Sequence, residues 1–195
     1  MKKKGLCFIL AALLCLSFAA CDTSSSSQKG EENKAAEETR QPVKEKVFKT
    51  SDQMFQITAD EEWTDTDESL NIQDAVLTVS KGAEGYIALI SEYKYNFSTD
   101  LSGYNKMVVK HMEKSVSEDS SSESETLKLG NYDAFKTTMT GLVEGEAETY
   151  EIYCAETDNY YVQLICWSAS EKQDEFAVEF DKIAHSLQPA ETTEE

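Results

Sequence analysis

The side chains able to do chemistry in this 195-residue chain are 37 carboxylates, five cysteines, two histidines and nine tyrosines, and their spacing excludes most reactions they could perform. His111 and His185 stand far apart, neither falls in a metal-ligand spacing, and both read as helix-surface residues. The acidic run "DEEWTDTDESLNIQD" starts like a calcium loop at Asp65-x-Asp67-x-Ser69. It then places Leu70 where the sharp turn needs glycine and Val76 where a bidentate glutamate belongs, which leaves a solvated acidic loop. There is no Gly-x-Ser-x-Gly elbow and no glycine-rich phosphate loop. Cys154 and Cys166 lie inside apolar strands, where burial raises a thiol pKa and suppresses its nucleophilicity. A carboxylate pair for hydrolysis is defined by its separation in space, which the chain order does not supply. The expectation is a noncatalytic protein with no cofactor and no metal site.

The remaining three cysteines, Cys7, Cys15 and Cys21, fall at the N-terminus, and only Cys21 follows small side chains. Lys2, Lys3 and Lys4 precede an apolar run over residues 6–20 that ends in Ala19 and Ala20, the parts of an export signal over residues 1–20. About 15 residues of helix reach only ~22 Å against ~30 Å of hydrocarbon, so a leader is expected rather than a permanent span. Phe18-Ala19-Ala20-Cys21 resembles a bacterial lipobox, with Phe18 where leucine is commoner. That resemblance implies a diacylglyceryl group on the Cys21 thiol and cleavage just before it. The alternative is ordinary secretion, with Ser17-Phe18-Ala19 as the cleavage site. Two acyl chains attach a protein stably, where a single chain at ~0.8 kcal/mol per buried methylene is marginal.

Beyond Cys21 the chain is strongly acidic. Of 18 basic residues three lie in the leader, leaving 15 against 37 acidic residues, a net charge of −22. Such a field repels phosphate, which argues against nucleic acid and against surface docking on anionic headgroups. Residues 21–46 contain no aromatic side chain and only Val43 as a branched apolar one, so they read as a disordered polar tether. About 25 residues of flexible coil span ~25–30 Å root mean square, enough to hold a small domain clear of headgroups.

The folded part is expected over residues 47–188, with a disordered acidic tail over residues 189–195. Short strands are expected around residues 47–49 and 54–58. "NIQDAVLTVS" and "GYIALISEYKY" alternate and are split by residues 81–85, a hairpin in which Gly82 and Gly85 can take positive φ. Asp100 is placed to cap a helix with Leu101, Tyr104, Val108 and Met112 on one stripe. "SEDSSSESET" reads as a solvated loop, and "TLKLGNYDAFKTTMTG" resumes strand character around a Gly130-Asn131 turn. A last helix is expected from Ser170, capped through Gln173, with Phe176, Phe180, Ile183 and Leu187 on its apolar stripe.

Between these lies "TYEIYCAETDNYYVQLICWS". With Tyr150, Ile152 and Cys154 facing the same core as Val162, Leu164 and Cys166, a three-residue Thr157-Asp158-Asn159 turn sets Cys154 opposite Val162 and Cys166 opposite Tyr150. The two sulfurs are then about four residues, or ~13 Å, apart along the strands, beyond disulfide reach, and two buried free thiols are expected. The other face carries Tyr153, Tyr161, Ile165 and Trp167, so both faces of the sheet need cover, and two helices are available for it. Most of the aromatics read as core, with Tyr160 and Tyr161, beside the turn, singled out as an interaction surface.

"FQITADEEW", a hairpin, a mid-chain helix, "LKLGNYDAFKTTMTG" and a last strand followed by "FDKIAHSLQ" together resemble the PsbP-like fold, over residues 48–188. The resemblance implies an α+β domain: an antiparallel β-sheet flanked by helices on both faces, as an α/β/α sandwich. It transfers no functional residue. The whole reads as a monomeric lipoprotein on the extracytoplasmic face of the cell membrane, a binding or accessory module with an envelope protein partner. A small-molecule-binding lipoprotein serving a transporter and a metal-assisted envelope hydrolase are the alternatives.

Overall fold

The computed structural model describes residues 44–66, 70 and 72–191. Cys21, the leader and most of the expected tether lie outside the described residues, as do Asp67 and Ser69 of the acidic run. The fold is α+β. An eight-stranded antiparallel sheet is built from β3 (Trp63–Asp65), β4 (Ala75–Lys81), β5 (Gly85–Tyr93), β6 (Ser117–Ser121), β7 (Glu125–Leu129), β8 (Tyr132–Val143), β9 (Glu146–Glu156) and β10 (Tyr160–Ala169). Its order is β3-β4-β5-β10-β9-β8-β6, with β7 also paired to β8. A second, three-stranded sheet joins β1 (Glu45–Lys49), β2 (Phe55–Asp60) and β11 (Gln188–Pro189). The helices are α1 (Leu101–Met112) and α2 (Gln173–His185).

The helices cover opposite faces of the large sheet. Phe176, Phe180 and Ile183 of α2 pack with Tyr153, Leu164 and Cys166, and the small sheet adds Phe48, Phe55 and Ile57 to that same core. Leu101, Tyr104 and Val108 of α1 pack with Ile152, Cys154 and Tyr161 on the other side. Each fully buried Phe, Leu or Ile contributes about 1.5–3 kcal/mol of transfer free energy, so both layers are held mainly by these stripes. Among the described residues the face under α2 thus has two coverings, and the face under α1 has one.

Several local expectations change. The β9–β10 turn has two residues, Asp158 and Asn159, closed by Thr157 N–H donating to the Tyr160 carbonyl at 2.9 Å. Val162 therefore pairs with Ala155, Gln163 with Cys154 and Cys166 with Glu151. This one-residue difference puts Cys154 on the α1 face and Cys166 on the α2 face. Both thiols are buried and free, separated by the sheet rather than by distance along one face. The serine-rich run is not a loop: Ser117–Ser121 pairs with β8 as an edge strand whose side chains are all exposed. A 3-10 turn over Ser170–Lys172 leads into α2 at Gln173, where no side chain caps the helix; the Ser170 hydroxyl lies 2.8 Å from that of Thr149. Gly82 has the expected left-handed φ of 58°, whereas Gly85 is needed for space, since a Cβ there would lie 2.3 Å from the Phe176 ring. Pairing starts at Glu45, and backbone contacts at the far end reach Glu191, whose N–H donates to Gln56 Oε1 at 3.1 Å. The ordered strands thus extend beyond residues 47–188 at both ends.

Candidate functional site

A cavity of about 490 Å³ lies where α1 stops covering the sheet. α1 is held over β8 and β9 by its apolar stripe and by Asp100, whose carboxylate accepts from Gly103 N–H at 2.9 Å. β10 and β5 continue the sheet past the helix, and alternation turns Ile165, Gln163, Ile90 and Glu92 toward the same side. Phe97 closes one end, and Met107 and Met112 of α1 form the wall. Asp74, from the segment before β4, and His111 are the other ionisable side chains at the opening.

Three side chains form the polar part of the floor. The Tyr104 hydroxyl donates to Glu92 Oε2 at 2.6 Å, and Gln163 Nε2 donates to Glu92 Oε2 at 3.0 Å and to the Tyr104 oxygen at 2.8 Å. Burial, and then the Glu92 carboxylate, push the Tyr104 phenol well above its usual range, so it stays protonated and remains a donor to Glu92. Glu92 takes part in none of the ion pairs among the described residues. An apolar groove with a few convergent polar groups is the usual form of a small-ligand site. Chemically, this arrangement can bind and orient a small molecule.

The tyrosine pair beside the β9–β10 turn is split by the sheet. Tyr161 is 2 % exposed, stacks on Tyr104 at 4.3 Å between ring centroids, and donates its hydroxyl to the Thr99 carbonyl at 2.8 Å. It is a core residue, which corrects its expected place on an interaction surface. Tyr160 is half-buried and joins a different group, 4.4 Å from Tyr93, which in turn lies 5.3 Å from Tyr95. Tyr93 and Tyr95 are 46 % and 81 % exposed and, with Met54, make an aromatic patch at the end of the domain remote from Glu45. The patch is formed by three separate segments, and nothing local to Tyr93 or Tyr95 distinguishes them from the other tyrosines.

Other charged clusters are tied into the fold. Lys81 pairs with Asp60 at 3.1 Å, Glu62 at 2.8 Å and Glu179 at 3.2 Å, while Trp63 Nε1–H donates to Glu179 at 2.7 Å. Burial pushes the Glu179 carboxyl up, whereas the Asp60 carboxyl, opposed by burial, is lowered by its hydrogen bonds to Glu179 and Lys81. Lys136 bridges Glu151 at 3.1 Å and Asp181 at 2.8 Å beneath α2. Cys154 and Cys166 have thiol pKa values raised by burial, which makes both poor nucleophiles. His185 is exposed, with Nδ1 2.8 Å from the Asp181 carbonyl oxygen. Among the described residues no three His, Cys, Asp or Glu side chains are grouped to hold a metal ion. Among them, too, no helix is long and apolar enough to cross a membrane.

No protein-family model matches the chain, and no curated protein matches it by sequence. Solved structures do match. The solution structure of cyanobacterial PsbP (CyanoP) from Synechocystis has a TM-score of 0.56 at 11 % identity, over 81 % of this chain and 99 % of that one. LpqN of Mycobacterium tuberculosis, described as involved in cell envelope biogenesis, has a TM-score of 0.55 at 11 % identity, over 77 % of this chain and 93 % of that one. A Bacteroides thetaiotaomicron protein has a TM-score of 0.51 at 12 % identity, over 79 % of this chain and 51 % of that one. The domain therefore has the PsbP-like fold, and at these identities the likeness is one of fold.

Proposed function

We propose that the chain is a noncatalytic binding module of the cell envelope, held at the extracytoplasmic face of the membrane by a lipid on Cys21 and working through the groove beside α1. The observation that carries this reading is the groove itself: apolar walls around a floor whose three polar side chains are hydrogen-bonded to one another. The titratable groups elsewhere that have the character of a catalytic cluster are instead engaged in ion pairs that fasten α2 and β2 to the large sheet. The location is supported by the leader that ends at Cys21 and by the polar residues after it. It is coherent with the description of LpqN, a fold relative, as involved in envelope biogenesis. The net charge of −22 after the leader argues against a nucleic-acid partner.

The test is the mass of the N-terminal peptide of the mature chain. Cys21 at the N-terminus carrying acyl mass, with release to the soluble fraction on Cys21→Ser, is the expected result. An unmodified chain beginning at Ala20 overturns the anchored reading. A second reading is favoured by the exposed Tyr93 and Tyr95: an adaptor that meets an envelope protein through the aromatic patch. A photo-crosslinker at position 95 that forms a discrete adduct in membranes, where one at position 107 forms none, would prefer that reading.

A further inference from the structure

The protons of the groove floor can be counted. Tyr104 has a single hydroxyl proton, and it is spent on Glu92. Gln163 turns its amide nitrogen inward, toward Glu92 Oε2 at 3.0 Å and the Tyr104 oxygen at 2.8 Å. The amide cannot be turned over without setting its oxygen against the Glu92 carboxylate, so the direction of every bond in the triad follows from that one charge. What remains is Oε1 of Glu92 and Oε1 of Gln163, neither of them among the buried atoms that lack a partner, hence both open to the groove. The floor carries the Glu92 charge, and the two oxygens left open can only accept hydrogen bonds. Around it stand the Phe97 ring and the thioethers of Met107 and Met112, with Asp74 adding a second carboxylate at the opening.

We infer that the groove is a binding site for a small organic cation, an ammonium group carried on an apolar body, with the ammonium on Glu92 Oε1 and Gln163 Oε1 and the body against Phe97, Met107 and Met112. A cavity of about 490 Å³ suits a ligand of that size. An ammonium supplies up to three donors to those two acceptors, and its charge makes the contact to Glu92 a charge-assisted one. Aromatic faces and polarizable sulfur tolerate an adjacent cation, where an anion would meet the carboxylates of Glu92 and Asp74. The inference rests on the reading of the groove as the working site, and it does not depend on the lipid.

The experiment uses the full mature chain with Cys21→Ser, which keeps it free of micelles, and follows the methyl resonances of Met107 and Met112. Three probes share one apolar body and differ in the head: phenethylammonium, phenethyl alcohol and phenylacetate. Phenethylammonium is expected to shift both methyls saturably and to bind about tenfold or more tightly than the alcohol, the lower end for a hydrogen bond to a charged group. Glu92→Gln keeps an acceptor for Tyr104 and Gln163 and should remove that preference. Equal or tighter binding of phenylacetate, or methyls unmoved by all three probes, overturns the inference. The head-group comparison is made on an unaltered domain, so it stands whether or not the Glu92 variant folds. A soluble, unacylated mature chain would defeat the proposed location without touching this result.

Discussion

Lys136→Met is the substitution that asks most of this fold. Glu151 is 2 % exposed in the middle of β9, and its two oxygens meet Lys136 Nζ at 3.1 Å, the Tyr153 hydroxyl at 2.7 Å and Gln173 Nε2 at 2.7 Å. Asp181 of α2 lies 2.8 Å from the same ammonium and 2.6 Å from the same phenol oxygen. Removing the ammonium leaves two carboxylates with one phenol proton between them. Breaking a buried pair costs about 3–5 kcal/mol, and because Gln173 still donates to Glu151 and the Tyr153 phenol still lies between the two carboxylates we expect the low end, about 3 kcal/mol. For a domain of this size that corresponds to a fall in Tm of about 6–12 °C.

The pH dependence has a definite sign. Asp181, although burial opposes it, is held below the usual carboxylate range by Lys136 and Tyr153. An acid so lowered contributes stability that is present above its unfolded pKa of ~3.9 and is lost as pH falls through its folded value. Lys136 itself is raised by its two carboxylates against the effect of burial, so its contribution is fully present at pH 7. The deficit of Lys136→Met is therefore largest at neutral pH and shrinks as pH falls through the folded pKa of Asp181, where the partner that Lys136 holds becomes neutral. Urea unfolding of both chains between pH 7 and pH 3 measures it, and Lys136→Met/Glu151→Gln should recover at least about 1 kcal/mol. A deficit under about 1 kcal/mol, or one independent of pH, would refute the account of this network.

Further substitutions test the placement of other elements. Gly85→Ala puts a methyl 2.3 Å from the Phe176 ring and should cost about 1–3 kcal/mol in urea unfolding, whereas Gly82→Ala meets no neighbouring atom and its cost comes from backbone strain alone. Asp100→Ala removes the acceptor for Gly103 N–H and should cost about 1 kcal/mol, with the Met107 and Met112 methyl resonances shifting as α1 frays. Tyr161→Phe should lose about 0.5–1.5 kcal/mol with its bond to the Thr99 carbonyl. Cys154 and Cys166 should resist maleimide in the folded protein and react on unfolding; labelling of either within minutes in native buffer would contradict their burial.

Legibility in the chain divides along locality. The α1 cap at Asp100, the stripes of both helices and the antiparallel hairpins depend on neighbours within a few residues, and the sequence carries them. The β9–β10 register is misplaced by sequence reasoning because both strands are apolar on both faces, so alternation offers no choice of side. The one informative residue is Glu151: a carboxylate inside an apolar strand must meet a cation, and only the face toward α2 offers Lys136. The strand Ser117–Ser121 leaves no mark because its side chains are all exposed and only its backbone pairs with β8. Tyr161 reads as surface for the same reason that the register slips: adjacent residues on a strand face opposite sides, and the chain alone does not say which side is which. The groove is invisible in the sequence since Glu92 and Gln163, 71 residues apart, become neighbours only through the pairing of β5 with β10.

The groove results from the way the sheet is covered. A helix about 10 Å wide spans roughly two strands at ~4.8 Å spacing, and α1 rests on β8 and β9. On the opposite face the small sheet supplements α2, but beside α1 no second helix or strand lies over β10 and β5 among the described residues. A sheet that merely tolerated this gap would present small polar residues to solvent. Here the uncovered strip carries Ile90 and Ile165, with Glu92 and Gln163 beside them, and these two polar side chains reach back to Tyr104 and pin the edge of α1. The same triad thus does two things, fixing the helix and charging the floor, and the two are separable. Glu92→Gln preserves an acceptor for the pin and deletes the charge, while Tyr104→Phe removes the bonds that tie α1 to the triad and leaves the charge. A ligand preference that is lost with the first substitution and survives the second assigns the charge to binding; a preference lost only with the second assigns the triad to structure.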